Sequence, residues 1–202
     1  MKKQLLSCLG AIVIVIVLIP ITSAGGEKLE KWQTPESAAQ SYIEAMKQGS
    51  IKGYTKHLHP EALGNFRNMI LPIVEQTEKE DPEDVKDILR IFEGIDDTAT
   101  LRKLSTEDFF ISFYEGITKL QPRLKQMMTN TQNQIIGHVN EGDNVAHVVI
   151  RVTTPASGAS VSTISVISLQ KHKSGWRVLL PDQIEGIANV IQQRQGALKR
   201  RN

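Results

Sequence analysis

Cysteine is nearly missing from this chain. Of 202 residues only Cys8 carries a thiol, and it lies inside an apolar N-terminal run. A lone cysteine closes no intrachain disulfide and anchors no thiolate metal cluster. Aromatic residues are scarce too, at 5%, with two tryptophans, three tyrosines and five phenylalanines. Charge of one sign is also missing. Lys and Arg number 24 against 22 Asp and Glu, a formal net charge of +2. Two of those lysines, Lys2 and Lys3, precede the apolar run, so residues 25–202 carry equal numbers of both signs. A balanced chain without a sustained basic stretch excludes nucleic acid as the expected partner. The catalytic signatures are absent as well. There is no Gly-x-Ser-x-Gly elbow, phosphate loop, His-Glu-x-x-His pair or dinucleotide fingerprint.

The N-terminus is where long apolar sequence does occur. Lys2 and Lys3 precede a run from Leu5 to Ile21, whose core Ala11–Ile19 is uncharged. Pro20 interrupts it, and Thr22-Ser23-Ala24 supplies the small residues that signal peptidases read. These are the three parts of a secretory signal. The expectation is export to the periplasm or the extracellular space, with cleavage after Ala24. The competing reading keeps residues 5–21 as a membrane anchor, although the run is slightly shorter than the ~20 residues a span needs. Membrane contact follows only in that case. Cleavage removes Cys8 and leaves 178 residues, enough for one domain with a sizeable core. After a lead-in over 25–33, one domain is expected over 34–196, followed by a basic tail at 197–202.

Within the domain the periodicity is first helical. Thr34-Pro35-Glu36 combines a capping residue, a first-turn proline and an acid suited to the helix dipole. Ala39, Tyr42, Ile43 and Met46 then form one apolar stripe, and Gly49 ends the helix. Residues 51–92 read as helices in pieces, limited by Gly53, Pro60, Gly64, Pro72 and Pro82. The acids from Glu75 to Asp87 read as a solvated loop and helix start in preference to a cation-binding patch, since they lack the spacing of a calcium loop. Ser105 caps a further helix whose apolar face runs Phe109, Phe110, Phe113, Tyr114, Ile117 and Leu120.

From Gln132 the period becomes two. Gln134–Asn140, Val145–Thr154, Val161–Gln170 and Trp176–Leu180 are short β-branched runs separated by turn residues. They predict a four-stranded antiparallel meander. Ile184, Ile187, Ala188 and Ile191 predict a C-terminal helix. The fold class is therefore α+β, with N-terminal helices packed on a curved sheet.

Thr34–Ala39, Tyr42–Gly49, the loop His57-Leu58-His59-Pro60-Glu61 and the closing Gly175–Leu180 resemble the nuclear-transport-factor-2-like, or cystatin-like cone, superfamily, which includes the SnoaL-like proteins. The resemblance covers roughly residues 34–181. It implies helices packed into a bent sheet with a pocket at the open end. Members include isomerases, dehydratases, polyketide cyclases and exported proteins with no known reaction, so the fold alone leaves function open.

Candidate site residues follow from the strands and the aromatic helix. A two-residue turn at Gly142-Asp143 pairs Glu141 with Asn144 and sets His138 opposite His147, their Cβ atoms about 5 Å apart. Gly137 and Val139 then share the more buried face with Ala146, Val148 and Ile150. Two imidazoles so placed suit a metal or a proton relay, but no third ligand is evident. A structural pair is the favoured reading, and no metal or cofactor is predicted. His57 and His59 are expected to point the same way on an extended loop, with Glu61 near them. His172 is expected to face solvent. Tyr114 and Trp176 are candidate pocket-lining residues, with burial in the core as the simpler role. An isomerase-type site needs a carboxyl beside a tyrosine. Asp108 is already explained by its place at a helix start. The expected function is a non-catalytic binding or interaction domain for a small apolar ligand or a protein partner. The alternatives are a small lyase or isomerase and a membrane-anchored envelope protein.

Overall fold

The computed structural model describes residues 32–156, 159–173 and 175–180, within which seven helices precede four strands. The signal segment, the C-terminal helix and the basic tail expected from the sequence lie outside the described residues. The first helix, α1 (Pro35–Lys47), begins as its residues predict. Thr34 accepts from the Ser37 N–H at 3.2 Å, and Ser37 Oγ accepts from the Thr34 N–H at 3.1 Å. Gly49 follows the helix with φ +66°, a conformation that glycine adopts without strain. Next come α2 (Ile51–Thr55), α3 (Pro60–Glu80), α4 (Asp84–Leu89), α5 (Thr98–Lys103), α6 (Thr106–Leu120) and α7 (Pro122–Asn130).

Pro72 does not end a helix, contrary to the expectation; α3 runs through it for 21 residues. Proline removes one N–H and leaves the carbonyl four residues earlier without its partner. Both Pro72 and Asn68, the residue that owns that carbonyl, are exposed, so water can satisfy it. On the other side of α3, Phe66, Ile70, Leu71, Ile73 and Val74 are buried and hold the helix to the core. The acids of this region have ordinary roles. Arg102 pairs with Glu75 at 2.7 Å, and Glu83 with Lys86 at 2.8 Å.

The strands β1 (Gln132–Glu141), β2 (Val145–Ala156), β3 (Ala159–His172) and β4 (Gly175–Val178) form one antiparallel sheet in chain order. This is the predicted α+β meander. One face, carrying Ala146, Val148, Ile150, Leu169 and Val178, is buried beneath the helices. The scarce aromatics concentrate there. All five phenylalanines and all three tyrosines are buried. Phe66 meets Phe109, Phe110 and Phe113 edge-on, with ring centroids 4.9–6.1 Å apart.

Helix α6 is keyed to the segment before α5 by close backbone approach. Ser112 Oγ donates to the Glu93 carbonyl at 2.8 Å, and the Glu93 N–H donates to the Ser112 carbonyl at 2.9 Å. Gly116, one turn on, lies so close to Ile91 that a Cβ there would stand 2.3 Å from the Ile91 carbonyl oxygen.

Candidate functional site

Inside the fold, the pocket that a cone would leave is nearly filled. Tyr54 of α2 meets Tyr42 of α1 and Tyr114 of α6 edge-on, with centroids 5.8 and 5.4 Å apart. Burial raises the pKa of all three hydroxyls, and those of Tyr54 and Tyr114 interact with each other. Such phenols donate hydrogen bonds and do not act as bases near neutral pH. The void between Tyr54, Tyr114, Met46, Ile51 and Thr118 holds about 10 Å³, room for one water. No carboxyl lines it. Asp108 is exposed at the start of α6, where Ser105 Oγ donates to its carboxylate at 2.7 Å and accepts its N–H at 3.0 Å. Tyr114 therefore sits at the predicted position without the acid that an isomerase-type site requires. Trp176 is buried elsewhere. Its N–H on the main chain donates to the Trp32 carbonyl at 2.7 Å, and Lys171 Nζ lies 5.3 Å from its ring. It closes the β4 edge and does not line the void.

The two strand histidines do not face each other. The turn between β1 and β2 holds three residues, Gly142 to Asn144, with Gly142 at φ +64° and Glu141 paired with Val145. His138 therefore pairs with Val148, and Val139 with His147. The expected register survives only in the open half of the hairpin, where Ile135 pairs with Ile150. An irregularity at Ile136 shifts the pairing by one residue before Gly137. A one-residue slip reverses every side chain beyond it. Val139, expected on the buried face, is consequently 63% exposed. His138 turns to the helix side, and its Nδ1 contacts the Glu36 carboxylate at the start of α1. His147 points outward.

His147 has acquired partners of its own. Its Nδ1 lies 3.0 Å from Ser168 Oγ and its Nε2 2.9 Å from Glu141 Oε2. Serine, imidazole and carboxylate in that order is the contact order of a hydrolytic relay. Here it lies on an open sheet face, with the Glu141 side chain 75% exposed. Among the described residues nothing encloses a substrate or aims donors at a developing oxyanion, which supplies most of such catalysis. The arrangement can hold a sheet surface in order and recognise a polar group.

The loop histidines also diverge. The His57 ring packs edge-on to Trp32 at 5.3 Å, while His59 is buried and caps α3, its Nδ1 accepting the Glu61 N–H at 3.2 Å. His172 is half-buried and meets His59 edge-on at 5.2 Å, so it does not simply face solvent. Among the described residues no group of three or more His, Cys, Asp or Glu side chains could hold a metal ion.

The feature that sequence reasoning missed is the outer sheet face. In the register, Val139 aligns with His147 and Ser168, Gly137 with Val149 and Val166, and Gln134 with Arg151 and Ile164. All belong to the face away from the helices. Val166 and Ile164 are 53% and 59% exposed, and Ile136 at the bulge is 51% exposed. Gly137 adds no side chain beside half-buried Val149 and exposed Val166. A run of apolar side chains across three strands, rimmed by Gln134, Arg151, His147 and Glu141, exceeds the scattered exposure ordinary for a surface. The period-two pattern contained only part of it, since Val149 alternates with Val148 and Ile150 of the core while the neighbours of Val139 and Ile164 are polar, and the register was needed to align them.

Compared with protein-family models, with curated proteins and with solved structures, the chain matches none.

Proposed function

We propose that this chain is a non-catalytic interaction domain that docks a partner protein on the outer face of its sheet. The observation that carries the reading is the apolar row of exposed Val139, Ile164 and Val166 around half-buried Val149. A small apolar ligand is disfavoured: small-molecule sites usually enclose some 300–1,000 Å³, the tyrosine-lined void holds about 10 Å³, and the neighbouring open cleft of about 440 Å³ is lined by the charged side chains of Lys52, Glu93, Glu115 and Lys119. The lyase or isomerase alternative finds no carboxyl at the tyrosine-lined void, and Glu93 and Glu115 line only the open cleft beside it. Membership of the cone superfamily stays with this reading as a proposal, resting on the residue patterns and the order of elements. So does export, resting on the segment from Lys2 to Ala24. No helix of the described residues is long and apolar enough to cross a membrane.

The test is a photo-cross-linking residue placed at Val166 or, as a control, at exposed Asn68 on α3, in the cells that make the protein. A discrete adduct with one protein from position 166, absent from 68 and lost with Ile164→Lys, is the expected result. Ile164→Lys should leave stability within about 0.5 kcal/mol, as exposed positions do. Cross-linking of position 166 to residues 181–202 of the same chain, or no adduct, overturns the proposal.

A further inference from the structure

Helix α3 is fastened to the last two strands through one imidazole. The main chain brings them together first. The His59 N–H donates to the Val178 carbonyl and the Val178 N–H to the His57 carbonyl, both at 2.8 Å, around a parallel bridge of Leu58 to Val178. The His59 ring then turns back onto its own helix and accepts the Glu61 N–H at Nδ1. A neutral imidazole that accepts at Nδ1 carries its proton at Nε2. The ring also packs edge-on against His172 of β3, with centroids 5.2 Å apart. One neutral side chain thus caps a 21-residue helix and packs against the neighbouring hairpin.

That geometry tolerates no second proton. Protonated, Nδ1 becomes a donor aimed at another donor, and the cap is lost. The new charge would sit at the positive end of the α3 dipole. Its surroundings are mostly cationic or able to become so. His172 of β3 lies edge-on at 5.2 Å, and Arg177 of β4, whose guanidinium stacks 3.6 Å from the Trp32 ring, adds repulsion. Glu61, on α3 itself, and the Lys171 backbone of β3 favour the charged ring, but burial and His172 outweigh them. We propose that His59 is a proton-operated latch, which holds the first turn of α3 to the β3–β4 hairpin when neutral and releases it when charged. Burial, and then His172, depress the His59 pKa below the ordinary imidazole value. The latch is therefore fully stabilising above about pH 6.5, where the unfolded chain is also neutral. Its contribution is lost as the pH falls from there through the lower folded value.

The test compares melting temperatures at pH 7.5 and pH 5.0 for wild type, His59→Asn and His172→Gln, with NMR titration of the wild type. Asparagine caps helices well and does not titrate. Wild type should lose stability on acidification. His59→Asn should lose measurably less, and His172→Gln should be intermediate because one like charge is gone. The Glu61 amide resonance should move with the His59 ring titration. Equal losses in all three proteins, or a Glu61 amide unmoved while His59 titrates, overturn the latch. If His59→Asn does not fold, His172→Gln and the amide titration decide the matter alone.

Discussion

Gly64 and Gly116 both lie inside helices, yet replacing each by alanine should have opposite effects. On helix propensity alone, either change stabilises by about 0.5–1 kcal/mol. At Gly64 a new Cβ meets nothing within 4 Å, so that gain should appear almost whole. At Gly116 the Cβ would stand 2.3 Å from the Ile91 carbonyl oxygen, 2.6 Å from its carbon and 3.0 Å from the Glu93 nitrogen. These are backbone atoms and cannot rotate away. Relief requires α6 to retreat from residues 91–93. Such overpacking costs about 1–3 kcal/mol, here at the upper end. The retreat also strains the two hydrogen bonds between Ser112 and Glu93, each worth about 1 kcal/mol. After subtracting about 1 kcal/mol for propensity, Gly116→Ala should destabilise by about 2–3 kcal/mol. In a domain of this size that lowers the melting temperature by about 5–10 °C. Urea unfolding followed by far-ultraviolet circular dichroism measures both variants against the parent. A Gly116→Ala protein as stable as the parent, or one indistinguishable from Gly64→Ala, refutes the reasoning.

Because Tyr42, Tyr54 and Tyr114 are the only tyrosines and burial raises the pKa of each, alkali should destabilise the fold. The unfolded phenols ionise near pH 10 while the folded ones resist, so stability falls as the pH climbs above about 10. Absorbance at 295 nm should show no tyrosinate step there until the helical signal is lost, and all three should then appear together. A step near pH 10 with the helices intact contradicts the buried cluster. Intact-mass measurement of the protein from its native cells should find Gly25 as the first residue. A chain starting at Met1 instead supports the anchor reading of Leu5–Ile21.

Much of this architecture is legible in local patterns. Thr34-Pro35 and Ser105 mark helix starts because capping satisfies N–H groups within a few residues of the cap, with no need of a distant partner. The change of period at Gln132 marks the sheet, and the alternation within each run predicts four antiparallel strands in chain order. The export-type segment is likewise written in consecutive residues. None of these readings needs a distance across the fold.

The three-dimensional contacts settled the rest. Pro72 stays inside α3 because the buried row from Phe66 to Val74 outweighs one missing hydrogen bond, and that burial depends on α6. The facing histidines failed for a smaller reason. One extra residue at the Gly142–Asn144 turn and one at Ile136 differ little in sequence from a tight hairpin, yet a slip of one exchanges the faces. It sent His138 to Glu36 and His147 to Ser168 and Glu141. The filled interior and the bare outer face are the same kind of fact. Alternation specifies that each strand has two sides, but which side the helices cover, and how completely three tyrosines close the space beneath them, depends on packing between residues far apart in the chain.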